Sequence, residues 1–217
     1  MSVDLFVQAS LESLYMVFIS GLGAAFFGIP LGVLIFITTK GHILHKPILN
    51  RLLSIFINTF RSIPFIILLV AIIPFTRALV GSSIGTTAAI VPLTIAAIPF
   101  LARLVEGALA EVPQGLVEAG QTMGANPFQI ILKVLLPEAL PGLIHSFTVT
   151  LVNLIGYSAM AGTVGGGGLG DLAIRFGYQR FNAQVMLITV LILIAMVQCI
   201  QSFGDLFGRQ FRNLERK

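Results

Sequence analysis

Hydrophobic residues in this chain come in long runs, without the alternation of a water-exposed fold. Four stretches contain no Asp, Glu, Lys or Arg: Ser13 to Thr39, Ala78 to Ala102, Ala139 to Gly170 and Phe181 to Gly204. Each exceeds the roughly 20 apolar residues that carry an α-helix across a bilayer. A fifth stretch, Ser62 to Thr76, reaches that length only if its helix begins near Leu52 and carries Arg61 in its first turns. A long basic side chain there snorkels to the interface. The pattern predicts an all-α membrane protein with five transmembrane helices, over 13–39, 52–77, 82–103, 139–163 and 183–205, in one domain covering 13–207. Pro30, Pro64, Pro74, Pro92 and Pro99 lie inside these spans. Gly28 and Gly32, preceded by Gly21 and Ala25 at the same spacing, form a seam suited to close helix packing in lipid.

Composition supports the bilayer as solvent. Only 10% of residues are charged and 56% are hydrophobic, against about 25% charged in soluble domains. Mean hydropathy is +0.98. The pI of 9.6 does not point to nucleic acid, because the basic residues fall between the apolar runs. Ten of the 13 sit on one side: Lys40, Lys46, Arg51, Arg61, Arg103, Lys133, Arg209, Arg212, Arg216 and Lys217. Arg77, Arg175 and Arg180 fall on the other. The positive-inside rule makes the first side cytoplasmic, with the N-terminus outside and the C-terminus cytoplasmic. A cleavable signal peptide is not expected, since Asp4 and Glu12 stand where a basic n-region would be and the first apolar run is too long.

Catalytic and metal chemistry find little footing. His42, His45 and His145 are scattered without metal-ligand spacing. The first two read as solvated loop residues beside Lys40 and Lys46. The single cysteine, Cys199, reads as a small packed apolar residue. Gly165 to Gly170 satisfies G-x-G-x-x-G, but no strand precedes it and a flexible re-entrant turn is the expected form. No G-x-x-x-x-G-K-[ST] phosphate loop occurs. No carboxylate lies in the centre of a span, which argues against a proton-coupled carrier.

The longest polar interruption, Arg103 to Glu138, holds Glu106, Glu111, Glu118 and Glu138. Within it, 112–137 reads as two short amphipathic helices. Val112-Pro113 ends the incoming helix. Leu116, Val117, Ala119 and Met123 are expected on one side of the first short helix, and Gly120 and Gly124 permit close approach and a turn. Asn126-Pro127 caps the second, which is expected to stop before Pro137. Two roles fit such an element, docking into a partner's groove and lying on lipid headgroups. Its many Glu and few Lys or Arg favour the first. In the fourth span, Asn153, Tyr157, Ser158 and Met160 place polar or polarizable groups within an apolar helix. Interhelical hydrogen bonding and the lining of a solute path both fit them, with Met160 as an outer gate in the second case.

Glu118-Ala119-Gly120, then Gly124, then Val134-Leu135-Leu136-Pro137 resembles the E-A-A loop of ABC importer permeases, E-A-A-x-x-x-G followed after nine residues by I-x-L-P. Gly120 replaces the third-place alanine and Val134 the isoleucine. Phe60 to Phe65, Leu135 to Gly142 and Gly156 to Gly162 with the following glycines resemble the methionine-importer subgroup, and the match covers nearly the whole chain. The resemblance implies a type I ABC importer transmembrane domain without a catalytic site or metal. It makes Glu118, Ala119, Gly120, Gly124, Val134, Leu136 and Pro137 the loop that couples to an ATPase. It implies a homodimer in the bacterial inner membrane with two ATP-binding subunits that hold ATP and Mg. It also implies an extracytoplasmic methionine-binding protein and alternating access. An importer for another small amino acid and an ATP-independent channel are the competing readings. An intramembrane enzyme finds no residues to support it.

Overall fold

The computed structural model describes residues 3–215, with side chains for 3–210. Its spine is α1 (Val3–Thr38) and α5 (Thr86–Ala110), which run parallel and touch along most of their length. Small residues allow this. Gly23 faces Thr94, Gly28 faces the carbonyl of Ile98, and Gly32 faces the carbonyl of Ala102. A Cβ at Gly32 would sit 2.5 Å from that oxygen, so the expected glycine seam is the α1–α5 interface. The long helix α9 (Leu140–Gly162) lies antiparallel to both, with Gly21 against Leu151 and Gly142 against Ala108. On its other flank α11 (Ala183–Glu215) seats Gly204 against Thr148.

Hydroxyls inside these helices are satisfied locally. Thr38, Ser146, Thr148, Thr150 and Thr189 each donate to the carbonyl four residues earlier, at 2.7–2.8 Å. In lipid that removes the penalty of a bare donor without recruiting a neighbour. Four helices are long and apolar enough to cross a membrane, and a fifth crossing follows if one sharply bent pair is counted together.

That bent pair is where the structure departs most from the sequence expectation. The stretch expected as one helix over 52–77 is three: α2 (Pro47–Ser62), α3 (Phe65–Ala71) and α4 (Ile73–Val80). Between α2 and α3 the axis turns by 98°. Ile63 takes an extended conformation, with ψ 121°, because the ring of Pro64 disfavours the helical region for the residue before it. The neighbouring boundaries also move. α1 begins at Val3 rather than near residue 13, and α5 occupies 86–110 rather than 82–103, since Gly81 and Gly85 at positive φ break the chain ahead of it. α11 runs on to Glu215. Arg216 and Lys217 lie outside the described residues, and Arg212 is described in backbone only.

Three smaller expectations are corrected. The Gly165 to Gly170 segment is not a loose turn: it leads into α10 (Gly168–Leu172), folded back tightly onto α9. A Cβ on Gly170 would stand 2.2 Å from the Ala159 oxygen, and one on Gly162 would stand 2.3 Å from the Asp171 nitrogen. Cys199 is exposed on α11, so its thiol is not packed among the other helices. His42 is half-buried, its ring 4.3 Å from that of Phe36, whereas His45 is exposed.

Candidate functional site: the loop between α5 and α9

Chain leaving α5 turns at Val112-Pro113 and forms α6 (Gln114–Thr122). The end of α6 explains one glycine of the E-A-A pattern. Gly124 has φ +80°, a conformation that costs other residues strain. In that conformation the Ala125 N–H donates to the Gly120 carbonyl at 3.1 Å, and the Gly124 N–H to the Gln121 carbonyl at 3.0 Å. These are the two bonds of a Schellman C-cap. No atom stands within 4 Å of a Cβ built on Gly124, so glycine is required there by backbone geometry and not by crowding. Gly120 is different: a Cβ would meet Ile130 at 3.5 Å, an ordinary contact. Alanine, the residue of the pattern, would also fit.

The second arm starts immediately. Asn126 Oδ1 accepts from the Gln129 N–H at 2.8 Å, and Gln129 Oε1 accepts from the Asn126 N–H at 2.9 Å. This capping box opens α7 (Pro127–Ile130), with Pro127 at its first position. Contrary to expectation, the helix does not stop before Pro137. It passes through a π turn, Ile131–Leu135, into α8 (Leu136–Glu138) and on towards α9. Proline has no N–H, and its ring would strike the carbonyl four residues earlier. A wider turn precedes it, in which the Leu136 N–H reaches the Ile131 carbonyl five residues back.

The corner is fastened to the spans from within. Ile130 and Leu135 are fully buried in the same core as Leu109, Val112 and Ala139. Val117 and Val134 pack against that core as well. Val117 therefore points inward. It does not share a side with Ala119, as two residues at 100° apiece place them nearly opposite each other. Glu118 and Ala119 are exposed, and so are Leu116, Met123, Phe128 and Leu132. Met123 is 87% exposed. Apolar side chains beside a carboxylate are thus held at the surface of a two-armed corner. Leu136 is half-buried and Pro137 exposed. Beside the corner, the ends of α5, α9 and α11 enclose a cavity of about 780 Å³ lined by Glu111, Glu138, His145, Asp205 and Arg209.

The pathway candidates separate into two pairs. Asn153, half-buried, and Met160, 47% exposed, lie with exposed Gly156 on the side of α9 left open by the other helices. Tyr157 is turned against α3, its ring stacked on Phe65 with centroids 4.5 Å apart and planes 4° off parallel. Ser158 is buried and donates to the Ile155 carbonyl at 2.8 Å. At the far end of α9 the structure adds a contact that periodicity does not reveal. Glu12 Oε2 accepts from the Gly168 N–H, and Ser13 Oγ from the Leu169 N–H, both at 2.9 Å. Two side chains of α1 thus cap α10, just beyond Met160.

Comparison with known proteins agrees with this architecture. Residues 28–213 match the family described as binding-protein-dependent transport system inner membrane component. The chain is 59% identical, over 95% of its length and 92% of the relative's, to the probable D-methionine transport system permease protein MetI of Vibrio cholerae. It is 52% identical to the protein of the same description in Pasteurella multocida, over 94% of each chain. A solved structure of the MetNI methionine ABC transporter in inward-facing conformations superposes with a TM-score of 0.96 at 52% identity, covering 97% of this chain and 99% of that one. The chain is a multi-pass transport component and not an enzyme, and it belongs to the family of binding-protein-dependent transport system inner membrane components.

Proposed function

We propose that this chain is the permease subunit of an ATP-driven methionine importer in the bacterial inner membrane. It acts as a homodimer with two ATP-binding ABC subunits and an extracytoplasmic methionine-binding protein. The observation that carries the reading is the exposed corner around Glu118, Met123 and Phe128, rigidly tied to α5 and α9. The substrate reading is supported by the methionine names of the Vibrio cholerae and Pasteurella multocida relatives and by the high identity to the MetNI structure.

ATP and Mg belong to the partner subunits, where binding and hydrolysis supply the free energy. This chain's residues transmit it. Leu116, Glu118, Ala119, Met123 and Phe128 sit in the partner's groove, in the manner of a helix docked by its anchors. The Schellman cap at Gly124 and the capping box at Asn126 keep the two arms at a fixed angle. Burial of Ile130 and Leu135 passes displacement of the corner into α5 and α9 without slack. On α9, Asn153 and Met160 line the solute path on the dimer axis, with Met160 closing it on the outer side, and the polar cavity beside the corner receives solute on the cytoplasmic side. ATP must bind the outward- and inward-facing states with different affinity for the cycle to turn.

The test is co-purification of the partner ATPase with the native chain and with Glu118→Lys plus Gly124→Trp. The reading expects the double variant to remain folded and membrane-inserted while losing the ATPase. Retention of the ATPase by the variant at native stoichiometry would contradict it.

A further inference from the structure

Beside the loop, at the same end of the molecule, lies a second surface of opposite character. Between Glu12 and Glu106 the sequence contains no carboxylate, yet it carries Lys40, Lys46, Arg51, Arg61, Arg77 and Arg103. Among the described residues the ion pairs are Arg103–Glu106 and Arg175–Asp171. Lys40, Lys46, Arg51 and Arg61 have no carboxylate partner among the described residues, while the neighbouring loop of 106–138 carries four glutamates.

In α2, Asn50 Nδ2 donates to the Ile35 carbonyl at 2.8 Å and to Thr39 Oγ1 at 3.1 Å. Two turns further on, Ile57 is buried against the same Ile35 and against Ala102, and Asn58 Oδ1 accepts from Arg103 at 3.2 Å. Since α2 advances two turns while remaining at one level of α1, it lies across the ends of α1 and α5 and does not run beside them. The 98° bend into α3 agrees: the pair is then not one crossing but an interfacial helix followed by a membrane segment that starts at α3. Around its axis α2 has three sectors. Leu53 and Ile57 face the protein. Ile48, Leu52, Ile55 and Phe56 are apolar and more than half exposed. Arg51, Ser54, Asn58 and Arg61 form the polar side, along which a shallow groove of about 480 Å³ includes Asn50, Arg51, Ser54 and Asn58. A helix with one apolar face open, one basic face and no acid is built for the membrane–water boundary.

We propose that α2 is an interfacial anchor, its Ile48–Leu52–Ile55–Phe56 face in the acyl region and its Arg51 and Arg61 holding the phosphodiester headgroups of anionic phospholipids. The anchor sets the height of the bilayer relative to the coupling loop. The inference does not depend on which solute is carried.

The test compares the full transporter in nanodiscs of phosphatidylcholine alone and of phosphatidylcholine with phosphatidylglycerol, reading the melting temperature and the phospholipid retained on mass spectrometry. Phosphatidylglycerol is expected to raise the melting temperature and to be retained. Arg51→Gln with Arg61→Gln should abolish most of both effects, and Arg51→Lys with Arg61→Lys should keep them. Arg77→Gln with Arg180→Gln, remote from α2, should change neither. In parallel, a photoactivatable phosphatidylglycerol on the native chain should label peptides within 47–62, so the proposal is tested even where a variant folds poorly. It is overturned if the glutamine pair responds to phosphatidylglycerol as the native chain does, or if the label misses α2. Inorganic phosphate reproducing the shift would also overturn it, as would loss of the partner ATPase at unchanged lipid retention.

Discussion

Alanine at Gly32 should loosen the spine of the molecule, while alanine at Gly107, near the end of the partner helix α5, should not. The first new Cβ would stand 2.5 Å from the Ala102 oxygen and 2.7 Å from both Cβ and Cγ1 of Val105. The backbone oxygen cannot swing away, so α1 must retreat from α5. Overpacking of this kind costs about 1–3 kcal/mol, offset by the roughly 0.8–1 kcal/mol that alanine gains over glycine inside a helix. Because the clash is with a backbone oxygen, the cost falls in the upper half of that range, about 2–3 kcal/mol, and the net loss is about 1–2 kcal/mol. At Gly107 no atom lies within 4 Å of the added Cβ, leaving only the same helix term, about 0.8–1 kcal/mol in the stabilising direction. Gly28, with a Cβ 3.0 Å from the Ile98 oxygen, should fall between. Fluorescence-detected size-exclusion chromatography after a temperature series reads this directly. With a scale of ~2–4 °C per kcal/mol for chains of this size, Gly32→Ala should melt several degrees below the native protein and Gly107→Ala at or above it. Equal melting of the two variants would refute the argument from close approach.

Two further outcomes follow from the hydrogen bonds. Glu12→Ala strips the Gly168 N–H of its acceptor and should cost about 1–2 kcal/mol, with Glu12→Gln close to native. Vesicles containing the alanine variant should leak methionine more than those with glutamine, and identical leak in both would show that the α1 cap does not position the segment beyond Met160. Asn126→Ala removes one half of the capping box, worth about 1 kcal/mol. Hydrogen exchange should quicken in peptides covering 124–132 and stay unchanged in α5 and α9, whereas unchanged loop exchange would mean that other contacts hold the corner.

How much of this was legible in the chain depends on how local the signal is. The fourth span was readable because charge and glycine punctuate it, and α9 follows the expected 139–163 within a residue at each end, whereas α1 and α11 each run about ten residues past one expected bound. The two-armed turn between α5 and α9 was readable because Gly124, Asn126 and Pro127 each demand a particular backbone geometry, visible in the residue itself. The break at Ile63–Pro64 was not taken from the sequence, although Arg51, Ser54, Asn58 and Arg61 recur at three- and four-residue spacing and mark a wet face that a spanning helix would not tolerate. The π turn before Pro137 was hidden, since proline reads as an end and gives no hint that a widened turn can absorb it. Glu12 and Gly168 are 156 positions apart, a separation across which no periodicity carries information. The stacking of Tyr157 on Phe65 depends on the same bend that the hydropathy pattern missed.

The central claim is that this chain carries methionine inward on energy delivered by ATP through the loop around Glu118. The direct measurement is uptake of labelled methionine into proteoliposomes containing the chain, its ATPase and its binding protein, with and without ATP. The account predicts accumulation that requires ATP and vanishes with Glu118→Lys plus Gly124→Trp. Uptake that proceeds without ATP and ignores the loop variant would contradict it and leave a passive facilitator in its place.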